Sequence, residues 1–390
     1  MAGQNSIIYN WNKNQLFKLL FGLYYTKVPT MIWGNPGGGK TSTVNFLGKT
    51  LGKQTEIRSG NKSDPTDFSG IPYLIDASTG DGGKTLRFSE PKYVQMMKGN
   101  PDGILFFDEI TTCSPVIQVA LLSIIQDCQF GEFEIPKTIY RVAAGNYNNI
   151  TGTHNMSLAL MNRFCHIFYD INIDSFMDGF VSGWQNYEQC KINKTEDQID
   201  KTLKYRLAIT NFIRQQPDLM DAFPNGGAIS DPHEFAYPTP RSWEMVVKIL
   251  SILDENNPEF TEELVKGCIG EAAANFFIKY LQDDKGLEIN IPDFIGKEEL
   301  FSLPYPDRHD HVSQIMASMV YYLEQDPKKY LKLWIQVINV LHEKAYDNLI
   351  MKYFLANIRL LLNSKTIQPG ELKDLSQQIS CYDLLGLVDF

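Results

Sequence analysis

The sequence predicts an α/β fold in which a mostly parallel sheet comes first and helices follow it. Over residues 7–150, short apolar runs alternate with stretches of helical spacing, which is typical of a parallel sheet with crossover helices. Residues 297–390 carry apolar side chains at three- and four-residue spacing, which predicts further helices. Polar motifs follow two of the predicted strands, where ligands bind in such sheets.

The first motif is a glycine-rich loop between a predicted strand, Pro29 to Trp33, and a predicted helix with Val44, Leu47 and Leu51 on one face. It fits G-x-x-x-x-G-K-[ST], the phosphate-binding loop. Glycines let backbone N–H groups approach phosphates, and the helix N-terminus after them favours anions. The flanks disfavour the alternative, a turn that binds nothing. The predicted nucleotide-binding residues are Gly34, Asn35, Pro36, Gly37, Gly38, Gly39, Lys40, Thr41 and Ser42.

The second motif is a pair of acids that ends an apolar run. Ile104–Phe107 reads as a strand buried on both faces, and Asp108 and Glu109 follow it. Lys40 is predicted to bind the β- and γ-phosphates, while Thr41 and Asp108 hold Mg²⁺. Glu109 is predicted to polarise the attacking water, because general-base catalysis needs a carboxylate beyond the metal ligand.

Two further polar residues end predicted elements, and each has an ordinary alternative. Asn146 ends the apolar run that starts at Ile139, and its amide could bind the γ-phosphate or the attacking water. An asparagine after glycine is also a common turn residue. Arg163 closes a helical pattern that starts at Ser157. Alternatively, it is a solvated cation at a helix end.

Composition excludes several classes of protein. The chain of 390 residues has 43% hydrophobic and 21% charged residues and a net charge of −10, and none of its apolar runs approaches a membrane span of about 20 residues. The sequence has no Lys/Arg cluster longer than a few residues, which disfavours nucleic-acid binding. The six cysteines are scattered, and His309-Asp310-His311 lacks a third ligand, so we expect no disulfide framework or metal site there. The start resembles no secretion signal, so a cytoplasmic location is expected.

Together these motifs resemble those of AAA+ ATPases, and more narrowly of their MoxR-like branch. Residues 64–70, Asp-Pro-Thr-Asp-Phe-Ser-Gly, look like the segment before that branch's helix insertion, and residues 71–90 like its hairpin. Residues 129–136, Gln-Phe-Gly-Glu-Phe-Glu-Ile-Pro, resemble a second hairpin. The resemblance covers roughly residues 25–255 and implies that both hairpins line the central channel of a ring.

The resemblance also assigns roles to three residues. It implies that Asn146 is sensor 1, that Arg163 is the arginine finger reaching a neighbouring subunit's nucleotide, and that Arg241 is the sensor 2 arginine. Arg241 stands in Tyr-Pro-Thr-Pro-Arg-Ser-Trp, residues 237–243, at the start of a predicted lid helix. With Glu109, these three are the predicted catalytic residues.

The implied domain organisation has three parts. Residues 1–180 form an AAA+ α/β nucleotide-binding core with hairpin insertions at about 71–90 and 129–138. Residues 181–300 form a helical lid with sensor 2, and residues 301–390 a C-terminal helical extension. The lid start is uncertain because residues 171–236 contain a long polar stretch.

The implied function is ATP hydrolysis, with Mg²⁺, that remodels or activates a partner protein. The resemblance implies a homo-oligomeric ring, a hexamer, and a protein client with a von Willebrand factor A-type domain. The alternatives are a nucleic-acid-associated motor or nuclease-partner NTPase, a nucleotide-stabilised scaffold, and a single-subunit phosphotransferase. The acidic balance disfavours nucleic acid. No motif decides between ATP and GTP.

Overall fold

The protein is described here by a computed structural model, and its elements are numbered in chain order. The described residues are 13–60, 64–76, 84–146, 156–170, 173–182, 189, 192, 195–223, 232–253, 258–283, 295–296, 312, 315–316, 318–320, 322–323, 326–343, 346 and 350. The strands are β1 (Thr30–Trp33), β2 (Thr55–Ser59), β3 (Pro72–Asp76), β4 (Lys84–Phe88), β5 (Ile104–Asp108), β6 (Gln129–Phe130), β7 (Phe133–Glu134), β8 (Tyr140–Gly145) and β9 (Cys165–Phe168). The helices are α1 (Lys13–Thr26), α2 (Lys40–Leu51), α3 (Pro65–Ser69), α4 (Lys92–Gly99), α5 (Pro115–Asp127), α6 (Leu158–Met161), α7 (Ile173–Ser182), α8 (Thr195–Gln215), α9 (Pro240–Ile252), α10 (Pro258–Ile269), α11 (Glu271–Asp283) and α12 (Pro327–Glu343).

Five parallel strands form the central sheet in the order β2-β5-β8-β1-β9. Thr30 at the start of β1 is level with Val142 and Cys165 on its two neighbours. All five strands therefore begin at one edge, here called the amino edge, and end at the opposite, carboxyl edge. The chain leaves β1 towards β2 on one side of the sheet order and leaves β8 towards β9 on the other. The connections from the neighbouring strands β1 and β8 therefore run in opposite directions. This sheet and the helices after it confirm the predicted fold class.

The middle of the sheet is buried on both faces because helices cover it. Every residue of β1 and β8 is buried, as are the four apolar residues of β5, whereas β2 at the sheet's edge is only partly buried. The apolar face of α1, with Leu16, Phe17 and Leu20 fully buried, belongs to this core. Continuous apolar strands are what a parallel sheet between two helical layers requires.

Three buried rings with nearly parallel planes form a cluster next to the carboxyl edge. The Trp33 ring lies 6.2 Å from His166 on β9 and 5.6 Å from Phe235, and His166 and Phe235 are 6.2 Å apart, measured between ring centroids. The Trp33 indole donates a hydrogen bond to His166 Nδ1 at 2.9 Å, so His166 Nε2 carries the proton that reaches the Met161 carbonyl at 3.0 Å. The cluster thus links the strand that precedes the glycine-rich loop to β9 and to the segment before α9.

Two antiparallel strand pairs project from the sheet. β3 pairs with β4, and β6 pairs with β7, within the ranges for which the sequence predicts hairpins. Large apolar side chains on the β3–β4 pair face solvent, among them Leu74 and Leu86, which are opposite each other and 60% and 52% exposed. Exposed apolar patches of this kind mark interaction surfaces more often than scattered single residues do.

The chain divides into two compact units, Met1–Thr202 with Gln216–Ile278, and Leu203–Gln215 with Lys279–Phe390. In the second unit, α12 confirms a helix within residues 297–390, where the sequence predicts further helices. Its buried residues Tyr330, Leu333, Trp334, Val337, Ile338 and Leu341 follow helical spacing. After residue 343, only residues 346 and 350 belong to the described part of the chain. None of the described helices is long and apolar enough to span a membrane.

Candidate nucleotide site

The glycine-rich loop joins β1 to α2 at the carboxyl edge. Gly37 and Gly39 have φ of 77° and 83°, a left-handed conformation that a side chain would strain. Gly34 is needed for a different reason, since a Cβ there would come within 2.4 Å of the Tyr169 carbonyl oxygen. Asn35, Pro36 and Ser42 are exposed on the loop and helix start. The chain therefore presents the backbone N–H groups at the N-terminus of α2 without side chains in the way.

Lys40 is buried at the start of α2 and uses all three of its N–H donors. Its ammonium donates to the carbonyls of Gly34 and Asn35 at 2.8 and 2.9 Å and to Asn146 Oδ1 at 2.9 Å. Burial lowers the Lys40 pKa, and the nearby carboxylates of Asp108, Asp170 and Glu109 partly offset this effect. The lysine predicted to bind phosphate thus lies in the loop, with its charge held next to three acids.

The predicted magnesium ligands lie next to each other. The Thr41 hydroxyl donates to Asp108 Oδ2 at 2.6 Å, across 67 residues of sequence. Asp108 ends β5, and its other oxygen accepts the backbone N–H of Glu109 at 3.0 Å. Glu109 has φ of 55°, which is uncommon for a residue with a Cβ and turns the chain sharply after the strand. Such local strain is often found at functional sites.

Asn146 follows β8 and completes the group at the carboxyl edge. Its side chain contacts Lys40 between β1 and β8, where the chain connections diverge, the point at which open α/β sheets bind ligands. Gly145 before it is enclosed, since a Cβ would meet Met31, Thr111 and Trp33 within 3.1 Å. The structure therefore brings Lys40, Thr41, Asp108 and Asn146 together, with Glu109 beside Asp108.

Arg163 lies elsewhere, after α6 and just before β9 begins. Its Nε donates to Gln126 Oε1 at 2.8 Å near the end of α5, and its guanidinium also bonds the Ala159 carbonyl. Burial lowers the pKa of Arg163, the repulsion of Arg241 adds to this, and Asp127 and Tyr237 act in the opposite direction. Arg163 is therefore held by neutral acceptors and lies close to a second cation.

Arg241 is in the first turn of α9 and is exposed. The helix starts with a reciprocal capping box between Thr239 and Ser242 and with Pro240 in its first turn. Asn162 fixes this start to the segment that carries Arg163. Its Nδ2 donates to the Tyr237 carbonyl at 3.3 Å, and its Oδ1 accepts the Thr239 hydroxyl at 2.9 Å.

Arg163 precedes β9 at the amino edge, and Asn162 connects the start of α9, which carries Arg241, to the same segment. Arg163 comes two residues before Cys165, which is level with the first residue of β1, whereas the loop follows Trp33, which is level with Phe168. Strands rise about 3.3 Å per residue, so three residues separate these two levels by roughly 10 Å. The printed contacts of Arg163, with Gln126 and Ala159, are separate from the group around Lys40.

The residues at the carboxyl edge fit a nucleotide with a magnesium ion. A lysine ammonium, left-handed glycines and a helix N-terminus suit phosphates. A hydroxyl and a carboxylate oxygen 2.6 Å apart are the hard oxygen ligands that Mg²⁺ prefers. Among the described residues, no group of three or more histidine, cysteine or acidic side chains could hold another metal. His309 to His311 lie outside the described part of the chain.

Comparison with known families agrees with this arrangement. Residues 29–164 match the AAA domain of the dynein-related subfamily. The match includes the loop, both acids, Asn146 and Arg163, and it ends before Arg241. It supports an AAA+ nucleotide-binding domain over these residues and ATP-driven activity in general.

The other comparisons add little. One similar solved structure is described as "a putative ATPase from Cytophaga hutchinsonii ATCC 33406"; it has 16% sequence identity and a TM-score of 0.43, and the alignment covers 70% of this chain and 90% of that one. These values are too low to carry a conclusion. No curated protein matches the chain significantly.

Sequence reasoning missed the residues that position the predicted ones. Asn162 and Tyr237 fix the two arginine segments together, and Asp170, at the end of β9, accepts a weak hydrogen bond from Asn35 at 3.4 Å. A polar residue inside the apolar pattern before Arg163 was a signal for Asn162. Asp170 had the signal of the other acids, since it follows an apolar strand.

Proposed function

We propose that this protein is an AAA+ ATPase whose complete catalytic site is formed by two subunits of a homo-oligomeric ring. The observation that supports this is that Arg163 lies before the first residue of β9 and bonds Gln126 and Ala159, whereas Lys40 bonds Asn146 after the end of β8. If one subunit's amino edge faces the next subunit's carboxyl edge, each nucleotide meets a loop from one chain and arginines from its neighbour. Such head-to-tail contacts close into rings when the rotation allows.

Each residue then has a defined task. Lys40 and the loop amides bind the phosphates, Glu109 accepts a proton from the attacking water, and Asn146 orients that water. Thr41 and Asp108 would hold Mg²⁺, which when bound neutralises phosphate charge. Arg163 and Arg241 of the neighbour stabilise charge on the γ-phosphate, a contribution worth on the order of 10³–10⁵ in rate for an arginine finger.

Mixing two inactive variants tests the shared site. Lys40→Ala removes the phosphate contact at the carboxyl edge, and Arg163→Ala removes the cation at the amino edge. Each variant alone should lose ATP hydrolysis, and only Lys40→Ala should lose nucleotide binding. A mixture should recover activity, because the intact loop of an Arg163→Ala subunit can meet the intact arginine of a Lys40→Ala subunit.

The matched control mixes Lys40→Ala with Glu109→Gln. Both substitutions lie at the carboxyl edge, so no interface in the mixture has a complete loop and acid, and activity should stay lost. Recovery in the control would mean that subunits combine in another way. Full activity of Arg163→Ala alone would remove Arg163 from the finger role and leave the shared site without support.

We further propose that the ring is a hexamer of the MoxR-like type that remodels a protein client carrying a von Willebrand factor A-type domain. The resemblance of the two hairpins to that branch supports this, and so does the exposed apolar surface of the β3–β4 pair. A cytoplasmic location belongs to the same proposal.

Affinity capture tests the client. Glu109→Gln should bind ATP without hydrolysing it and so hold a client that the active enzyme releases. Recovery of a protein with such a domain, lost when Leu74 and Leu86 are both replaced by serine, would support remodelling through the hairpin. Recovery of salt-sensitive nucleic acid would favour the motor alternative. A ring that retains partners equally without nucleotide would favour the scaffold.

A further inference from the structure

One buried hydroxyl beside the proposed site lacks a partner. Thr111 is 2% exposed, and its Oγ1 has no hydrogen-bond partner among the residues that the structure describes. An unpaired buried hydroxyl lowers the stability of the folded state, because it loses its hydrogen bonds to water without gaining others. Valine has nearly the same shape and avoids this cost, so packing alone gives no reason for a threonine here.

Thr111 lies between the acids of β5 and the asparagine of β8. It is two residues after Glu109, in the single helical turn Ile110–Thr112. Its methyl carbon would lie 2.7 Å from a Cβ on Gly145, so it packs against the backbone that directly precedes Asn146. The Thr111 side chain therefore packs against the residue that directly precedes Asn146 in the chain.

Nucleotide binding creates a matching need on Asn146. The three N–H donors of Lys40 are all occupied, by Gly34 O, Asn35 O and Asn146 Oδ1. The ammonium can bond a phosphate oxygen only if it releases one of these three acceptors. Asn146 Oδ1 is the one acceptor that belongs to another strand rather than to the loop itself, so its release leaves the loop intact. Asn146 would then have an oxygen without a donor.

We propose that Thr111 is a positioning residue, whose hydroxyl donates to Asn146 Oδ1 once Lys40 has moved to the phosphates. Thr111 acts through Asn146 and does not touch the reacting atoms. The exchange pairs the two groups that nucleotide binding would otherwise leave unsatisfied, and it fixes the amide so that its N–H₂ faces the site. This inference rests on the proposed ATPase function and adds a residue to its site.

The test is Thr111→Val, because this substitution removes the hydroxyl and keeps the shape. Without nucleotide the variant should be more stable, with Tm raised by about 2–4 °C, since the unpaired hydroxyl is gone. Its kcat should fall about tenfold, the loss expected from roughly 1.4 kcal/mol of positioning, while KM for ATP stays within about twofold. Thr111→Ser keeps the hydroxyl and should keep most of kcat.

Thr55→Val is the matched control. Thr55 Oγ1 is also buried without a partner among the described residues, but it lies at the start of β2, at the amino edge. Thr55→Val should raise Tm by a similar amount and leave kcat unchanged. A residue whose role is structural would behave alike at both positions, so the difference in kcat isolates the role of Thr111.

Three results would overturn the inference. The first is a wild-type kcat for Thr111→Val. The second is a lower Tm for Thr111→Val, which would show that the hydroxyl already has a partner. The third is an equal loss of kcat in Thr55→Val. Absence of hydrolysis by the wild-type protein would contradict the proposed function instead. In that case the increase in Tm caused by Thr111→Val still tests the inference. This increase should be smaller in Mg²⁺-ATP, because the wild-type hydroxyl then gains its partner. An increase that is the same with and without Mg²⁺-ATP would contradict the proposed exchange of hydrogen bonds.

Discussion

The two edges of the central sheet are built in opposite ways. At the carboxyl edge, four of the predicted site side chains are paired: Lys40 is bonded to Asn146 and Thr41 to Asp108. At the amino edge, Arg163 and Arg241 lie close enough to repel each other, and within the described part of the chain no carboxylate lies within ion-pair distance of either. Asp127 offsets part of this repulsion, so the two neighbouring cations are only partly compensated within one subunit.

The difference indicates where each edge finds its ligand. The carboxyl edge is assembled before nucleotide binds, so binding exchanges existing hydrogen bonds for new ones. In the proposed shared site, the anion that stabilises the amino edge belongs to another chain's nucleotide. The carboxyl edge is then the half that binds the nucleotide, and the amino edge is the half that supplies the arginines.

The larger expected effect concerns the amino edge and its link to α9. Asn162→Ala removes two hydrogen bonds that hold the α9 start beside Arg163. Turnover should fall about tenfold because Arg241 is less well placed, while the nucleotide Kd stays unchanged because the loop is untouched. Steady-state hydrolysis and equilibrium titration measure the two quantities separately.

Thr239→Ser is the control for that prediction, since it retains the hydroxyl that Asn162 accepts and should keep most of the turnover. A Kd for nucleotide that weakens in step with turnover would show that Asn162 supports the carboxyl edge as well. The two edges would then not be independent.

The smaller expected effect concerns the carboxyl edge and pH. Burial lowers the Lys40 pKa in the free protein, and a bound phosphate, being negative, should raise it again. Between these two values nucleotide binding takes up a proton, so affinity should fall several-fold as pH rises from the free-protein pKa of Lys40 towards its pKa in the bound protein, whereas below the free-protein pKa it should be constant. Equilibrium titrations with nucleotide at a series of pH values measure this change in affinity. Lys40→Arg, which stays charged, should show a weaker dependence of affinity on pH. A flat wild-type profile would contradict the assigned shift.

Much of the carboxyl edge could be predicted from the sequence because its information is local. The glycine pattern before Lys40 and the acids after β5 stand at fixed spacing from their strands, and parallel strands necessarily end at one edge. The joint position of Arg163 and Arg241 could not be predicted this way. It depends on the bond between Asn162 and Thr239, which are 77 residues apart and belong to no periodic pattern. The unpaired Thr111 hydroxyl was also out of reach, since only three-dimensional packing shows which polar atoms lack a partner.

The cluster of Trp33, His166 and Phe235 has an optical consequence. Indole emission depends on polarity and on contacts with neighbouring groups, and this indole is fully buried, bonded to an imidazole and one residue before the glycine-rich loop. The protein therefore carries its own fluorophore at the loop. Because the partner imidazole also contacts the Met161 carbonyl, two residues before Arg163, the same emission is sensitive to movement of the finger segment.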